Sequence, residues 1–555
     1  MLSLAILKRQ LVDKKLFSRL IVRKFVVGRN LNKSKSQFNL KRFVKGTFLG
    51  VTAGAIAYDG YNEFQVYGGV SRFLRSLKIA ALISIDYSWH LYGLTDESEE
   101  YEQILKKIHL RSANRLLNGC LANGGLYIKI GQGVSAINHI LPSEYTDTLK
   151  KLENECLPRR SDEVKRVFEI EFGKSPEELF AEFDYKPIAA ASLAQVFRAK
   201  TKDGHDVAVK IQYIDLINRF SGDFATILCI QEIIKLIHKN YNFGWILRDL
   251  RKNLEQELDF VHEGKNSERC ATELRKFDFI HVPTVEWNLT SKRVLTAEWI
   301  DGYKISDLNR IKKDNLDIAD IDKKLFKVFS EQIFNTGFVH SDPHPGNLFI
   351  RKRQNGKPEI VLLDHGLYEH LTSSTRLSLC QFWEAIVLKD QAKMDKYAKE
   401  LHVNDSNKLA EILMQRPIDM KRPTFTTRLT DEDIAYFQAD AKRHFDVVLE
   451  TLKQMPRNML FVIRNLNTVR AIARHHGDPI DRPTVMAKYA QRCIYNTSNF
   501  NLTQKVKWII RRIKFDFQLA KISLQFWFIR TYLDILKFFG RSSVDSKTIL
   551  NYNPQ

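Results

Sequence analysis

The chain has 555 residues, enough for several domains at roughly 100–200 residues each. Its formal charge of +21 sits at the ends: residues 1–58 contribute +12 and residues 501–555 contribute +7, leaving +2 for residues 59–500. A near-neutral body gives no support to nucleic-acid binding. Six cysteines without a CxxC or any paired spacing argue against zinc and redox motifs and fit buried free thiols in a reducing compartment.

Residues 1–45 are basic, apolar and acid-poor without a long apolar core, which suits a mitochondrial targeting segment better than a secretory signal. Residues 46–58 (GTFLGVTAGAIAY) form a short apolar run with Gly46, Gly50 and Gly54 at four-residue spacing. The run is a candidate transmembrane helix, though shorter than the ~20 residues a span wants, and an interfacial helix is the alternative. Residues 59–100 then form a juxtamembrane segment with a weaker apolar patch, Ile79 to Ile85.

From 101 to 155 the pattern is helical, within a helical extension over 101–180. Ala113, Leu116, Leu117, Cys120 and Leu121 share one face. The following GGLYIKIGQG reads, from its residues alone, as an ordinary loop.

Residues 186–213 carry two strand patterns, Ala194 to Ala199 and Val207 to Ile211, around an Asp203-Gly204 turn. An alanine loop, Ala189-Ala190-Ala191-Ser192, precedes the first strand, and Lys210 ends V-A-V-K on the second. This is the layout of a nucleotide-binding lobe, here 181–302, with alanine where glycine would let backbone N–H groups approach phosphate. Residues 215–275 are helical, and Glu255, Glu257, Asp259 and Glu263 read as a solvated charged face. A strand pattern from Val294 to Trp299 leads into a hinge at Ile300-Asp301-Gly302. Residues 303–500 are helix-rich, with a loop around Arg416 to Thr427. In the basic tail, 501–555, an apolar stripe (Val506, Ile509, Ile510, Ile513, Phe517, Ala520, Leu524, Ile535) suggests an amphipathic helix on an anionic membrane, or one packed on the domain.

The chain is organised around residues 337–366, GFVHSDPHPGNLFIRKRQNGKPEIVLLDHG. A loop carries His340, Asp342 and Asn347. Two strand patterns flank Asn355-Gly356, a strong hairpin signal, and the second delivers Asp364-His365-Gly366. Protein kinases use H-R-D-L-x-x-x-N and D-F-G for their base and metal residues.

Together these pieces resemble the UbiB/aarF-domain atypical kinase family. The matching segments are K-I-G-Q (129–132), P-I-A-A-A-S-L-A-Q-V (187–196), V-A-V-K (207–210), E-L-D (257–259), H-S-D-P-H-P-G-N (340–347) and L-L-D-H-G (362–366), in family order between Tyr101 and Ile480. The D-H-G form and L-M-Q-R-P (413–417) are similar to the mitochondrial animal branch labelled aarF-domain-containing kinase five. The resemblance implies an α+β, two-lobed protein-kinase-like fold with an N-terminal helical KxGQ extension and extra C-terminal helices. It implies ATP (or ADP) and Mg²⁺ as cofactors. Ile188, Ala189, Ala190, Ala191, Ser192, Val196, Lys210 and Glu298 would bind the nucleotide. Glu263 would pair with Lys210, with Glu232 the choice by ordinary kinase spacing. Asp342 would act as catalytic acid/base, and Asn347 and Asp364 would hold the metal. Lys129 and Gln132 would form a lid reaching toward Glu257 and Asp259.

Departures narrow the chemistry. Ser341 replaces the Arg of H-R-D, so a phosphorylated activation loop has no Arg clamp there. No A-P-E follows Asp364, and His365 replaces the Phe of D-F-G. These features argue against phosphorylating proteins. The resemblance implies ATPase or small-molecule kinase chemistry on a membrane lipid surface, near isoprenoid-lipid or lipid-biosynthesis proteins such as those of coenzyme Q, and without nucleic acid. A Ser/Thr protein kinase and a nucleotide-sensing scaffold with little turnover are the competing readings.

Overall fold

A computed structural model describes residues 66–91, 98–135, 142–153, 161–190, 193–214, 216–237, 251, 254–414, 451, 454–497, 506, 509–521, 524, 531 and 535. The targeting segment, the candidate membrane helix, Ala191, Ser192 and the Arg416–Thr427 loop lie outside them. The chain divides into two compact units, residues 1–259 with 287–296 and residues 260–286 with 297–555.

The first unit opens with helices α1 (Val66–His90), α2 (Glu99–Asn123), α3 (Leu126–Ser135) and α4 (Ser143–Leu149), then a 3₁₀ turn (Lys150–Glu153). Ser98 caps α2 by accepting the Tyr101 N–H at 3.2 Å, which satisfies one of the orphan donors of the first turn. Gly124 and Gly125 follow with φ of +68° and +48°, a left-handed pair that turns the chain into α3. The K-I-G-Q stretch read as a loop is therefore helical, and the two glycines before it supply the break. Leu117, Ile128, Leu149 and Leu152 bury together and fasten α2, α3 and the 3₁₀ turn. The weaker apolar patch lies on α1, whose Leu82, Ile85 and Trp89 are exposed.

After α5 (Ser161–Phe172) and α6 (Pro176–Leu179) comes an antiparallel sheet. Its strands are β1 (Phe180–Phe183), β2 (Ala189–Ala190), β3 (Ala194–Thr201), β4 (Asp206–Gln212) and β6 (Val294–Glu298), in the order β1-β3-β4-β6 with β2 on β3. The Asp203-Gly204 hairpin is present, and Gly204 takes the positive φ, +87°, that its turn demands. Alternating Phe197, Val207 and Val209 bury one sheet face against Val164, Val167 and Phe168 of α5. Helix α7 (Leu216–Ile237) follows, and its Phe220 and Phe224 pack on Leu126 and Leu254.

The second unit begins with α8 (Phe260–Leu274) and continues through β5 (Ile280–His281), β7 (Tyr303–Lys304), α9 (Leu308–Lys313) and α10 (Ile318–Ser330). A π-helical turn, Glu331–Thr336, ends at Gly337 with φ +73°. Strands β8 (Phe338–His340), β9 (Leu348–Lys352), β10 (Pro358–Leu362) and β11 (Tyr368–His370) follow. The sheet order is β5-β10-β9-β7, with β8 and β11 forming a separate pair. Helices α11 (Ser373–Leu388), α12 (Gln391–Glu400), α13 (Ser406–Met414), α14 (Arg457–His475) and α15 (Arg482–Thr497) enclose one core holding Phe329, Phe334, Phe382 and Trp383. Among the described cysteines, Cys270, Cys380 and Cys493 are buried and Cys120 and Cys229 half-buried. Burial pushes the Cys270 thiol up to about 12, the state of an inert structural thiol. Among the described residues no helix is long and apolar enough to cross a membrane.

Candidate active site

The β9–β10 hairpin forms because two buried apolar runs flank Asn355-Gly356, and Gly356 adopts φ +77°. Its register pairs Leu348 with Leu362. One step beyond, the Leu363 N–H donates to the Asn347 carbonyl at 3.0 Å. Asn347 and Asp364 therefore sit at the same end of one ladder. Asp364 Oδ1 accepts the Gly366 N–H at 2.9 Å, which fixes the carboxylate over the D-H-G turn.

His340 joins the two acidic segments. Its Nε2–H donates to the Asp364 carbonyl at 2.8 Å, which leaves Nδ1 to accept the Asp342 N–H at 3.0 Å. Burial holds the imidazole below its usual range, against the nearby charges of Asp364 and Asp342, so the neutral tautomer is the resident form. His365 is likewise held on both sides: Nε2–H donates to the Leu362 carbonyl at 3.1 Å, and Nδ1 accepts from the Tyr368 hydroxyl at 2.9 Å. A Phe at that position makes no hydrogen bond, so D-H-G is fastened by polar contacts where D-F-G relies on packing.

Three amides from three helical segments grip this backbone. The Gln332 side chain, in the π turn, accepts the His340 N–H at 3.2 Å. Asn465 of α14 donates to the His340 carbonyl at 2.7 Å, and Asn266 of α8 donates to the His365 carbonyl at 3.1 Å. The π turn is the kind of irregularity that aims a side chain at a functional segment. Arg464, beside Asn465, donates from Nη2 to Asp342 Oδ2 at 2.8 Å, with both side chains about a quarter exposed. Asn266, Gln332, Arg464 and Asn465 escaped sequence reasoning. Each is a single polar residue in a helical pattern, without a motif around it.

In the first unit, Ala189 pairs with Val196 and Val196 with Lys210, which places the three in one row across β2, β3 and β4. Residues directly opposite in such ladders point to the same face. The Ile188 N–H donates to the Val196 carbonyl at 2.9 Å, so the start of the alanine loop is strand. K-I-G-Q divides its work. Lys129 Nζ lies 2.8 Å from Glu257 Oε2. Gln132, expected toward the E-L-D acids, donates from Nε2 to the Leu152 carbonyl at 2.8 Å. Gly131 makes room, because a Cβ there would come within 2.3 Å of Leu152 Cδ1. The acids read as one solvated face are not: Glu257 and Glu263 are buried, and Glu255 is exposed and paired with Arg251. Glu263 opens α8 in the second unit, and Asp259 closes the first. The Glu298 carboxylate is occupied by His281 Nε2 at 2.9 Å and by Thr284 at 3.3 Å.

Asn347 and Asp364 offer an amide oxygen and a carboxylate, donors that suit a hard cation. No group of three His, Cys, Asp or Glu able to hold a metal occurs among the described residues.

Residues 151–398 match the ABC1 atypical kinase-like domain. The "Probable serine/threonine-protein kinase abkD" of Dictyostelium discoideum is 36% identical over 90% of this chain and 73% of its own length. The "AarF domain-containing protein kinase 1" of Mus musculus is 38% identical over 75% and 79%. The chain belongs to the ABC1/AarF-domain atypical kinase family. The animal relatives carry the label kinase 1, where the L-M-Q-R-P and D-H-G forms had suggested kinase five. The family's mixed α+β kinase-like architecture is the one observed. Among solved structures, a complex of Rv3197 with erythromycin from Mycobacterium tuberculosis matches at 19% identity, over 67% of this chain and 97% of that one, with a TM-score of 0.43. That likeness is too distant to carry weight.

Proposed function

We propose that this family member is an ATP- and Mg²⁺-dependent phosphotransferase or ATPase, membrane-associated and mitochondrial, acting on or beside a lipid of the isoprenoid or coenzyme Q type. The observation that carries it is the gathering of Asp342, Asn347 and Asp364 at one end of the β9–β10 ladder, joined through His340. In this reading Asn347 and Asp364 hold the metal, and Asp342 accepts the proton of the attacking hydroxyl or water. Lys210, in its row with Ala189 and Val196, holds the α/β-phosphates, and Glu263 positions it. Ala189 to Ser192 cover the phosphates, and the restricted backbone of Ala189 to Ala191 favours ADP over ATP relative to glycine. Bound Mg²⁺ supplies charge neutralisation at the transferred phosphoryl. Lys129, held by Glu257, makes the K-I-G-Q helix a lid that limits access by polypeptide. The basic N-terminal segment, with or without a spanning helix at 46–58, directs the chain to the inner membrane.

The test is Mg²⁺-dependent ADP formation by the full chain, with and without cardiolipin-containing liposomes, in the parent and in Asp364→Asn and Lys210→Ala. Turnover that rises with liposomes and disappears in both variants is the expected result. No turnover with tight nucleotide binding would replace this reading with a nucleotide-sensing scaffold. The names of the Dictyostelium relatives favour a second reading, Ser/Thr protein kinase. It requires labelled phosphate on added polypeptide, lost in the same variants. Ser341 in place of the H-R-D arginine speaks against it.

A further inference from the structure

The tail carries a helix with two apolar faces. Residues 509–521 are helical, and Phe515 and Leu519, four apart, are buried at 0% and 5% exposure in the core of the second unit. Arg511, one turn before Phe515, donates from Nε to Glu384 Oε1 at 2.8 Å and from Nη2 to Oε2. This face docks the helix on the domain. On the opposite face, nothing among the described residues covers the side chains. Ile509, Ile510, Ile513 and Phe517 are 50%, 61%, 62% and 68% exposed, and Val506 and Leu524 continue the same stripe. At 100° per residue these six side chains fall within an arc of roughly 100°, centred opposite Phe515. Lys514 and Lys521 project along one edge of the arc, both exposed. Residues 501–555 carry ten Lys/Arg against three Asp.

Soluble surfaces rarely expose a continuous apolar stripe of this kind without a partner. An apolar stripe edged by lysines, on a helix anchored by its other side, matches an anionic bilayer in both its acyl boundary and its headgroup charge. We propose that this stripe is the surface by which the second unit docks on anionic lipid. It inserts Ile509, Ile510, Ile513 and Phe517 into the headgroup–acyl boundary while Phe515, Leu519 and Arg511 hold the domain to the bilayer. The proposal deepens the membrane reading above by assigning the contact to named residues.

The test uses the full chain and vesicles of phosphatidylcholine with or without cardiolipin. Flotation should be stronger on the cardiolipin vesicles. Ile513→Glu with Phe517→Glu should weaken it by roughly tenfold or more, since two large apolar side chains lose their burial. Lys514→Glu with Lys521→Glu should weaken binding to cardiolipin vesicles alone. The N-terminal segment could also bind lipid, so a local probe is added: an environment-sensitive dye on Ile513→Cys should shift to the blue with cardiolipin vesicles. Unchanged flotation of the Ile513/Phe517 variant together with an unshifted dye overturns the proposal. So does a lipid-independent fall in oligomeric state in that variant, which would make the stripe a contact between copies. ADP formation without vesicles is measured in parallel. Its absence in the parent refutes the enzymatic reading and leaves the docking result standing.

Discussion

Arg464 Nη2 donates to Asp342 Oδ2 at 2.8 Å across 122 positions of sequence. The acid of H-S-D-P-H-P-G-N is thus held by a cation from α14, where its neighbour in the motif is the uncharged Ser341. A charge-assisted pair of this kind fixes the carboxylate in place.

Arg464→Ala should lower kcat/KM for ATP turnover about 10- to 100-fold, from the ~1.5–3 kcal/mol that a charged hydrogen bond carries. Arg464→Lys keeps the charge without the planar fork and should fall between the two. Steady-state kinetics measure all three. An unchanged kcat/KM in Arg464→Ala would show that the pair does not position Asp342.

Asn465 is fully buried and holds the His340 carbonyl at 2.7 Å. Asn465→Ala leaves that carbonyl buried and unsatisfied, which should cost about 1–3 kcal/mol in urea denaturation.

Gly131→Ala should destabilise the first unit by about 1–3 kcal/mol, as overpacking does. The added methyl meets Leu152, which is completely buried and has no room to retreat. Thermal unfolding reads the loss. Leu152→Ala combined with Gly131→Ala should recover part of the Gly131→Ala cost.

Glu384 is buried at the foot of the tail helix. Burial raises its carboxyl above the usual range, and Arg511 offsets that only in part. Arg511→Met strands the carboxylate and should cost roughly 3–5 kcal/mol at neutral pH. Glu384→Gln in the same chain should restore much of it. Denaturant titration of the four chains gives the coupling.

His476 and Asp322 are both completely buried, with Nδ1 2.6 Å from Oδ1 and Nε2–H on the Ile305 carbonyl at 2.8 Å. Burial works against the imidazolium, but the hydrogen bond and charge of Asp322 outweigh it and hold His476 above its ordinary range. Burial likewise raises Asp322, and His476 counters it incompletely. Both shifts mean that the folded pair binds its proton more tightly than the unfolded chain does. The histidine's share of this stabilisation is complete below its unfolded value of about 6.5 and is lost as pH rises through the folded one. Unfolding free energy should therefore decline from about pH 6.5 upward in the parent, and His476→Asn should remove that slope.

Much of this was legible from the residues. Asp203-Gly204 and Asn355-Gly356 placed both hairpins because their turns demand glycine at positive φ, and apolar runs on either side leave one pairing register. His340, Asp342, Asn347 and Asp364 were legible because loop chemistry is compressed into a few adjacent positions. The helix through K-I-G-Q was not, because glycines lower helix propensity while the burial of Ile128 that rescues it comes from α2 and α4. Strands β8 and β11, three residues each, are too short for a period-2 pattern. The tail stripe was read correctly as a stripe, yet the buried face turned out to be Phe515 and Leu519, which only Glu384 and the second unit's core could reveal.

The Asn465 and Arg464 contacts have a consequence for how the protein is made. A nascent chain that has emerged from the ribosome only as far as α12 already contains the motif segments from K-I-G-Q to D-H-G. Its H-S-D loop has no arginine to rest on and no asparagine to anchor His340. The helix that sets the loop, α14, is synthesised after all of those segments, so a product that stops short of α14 would retain the lettering of the site without its fastening.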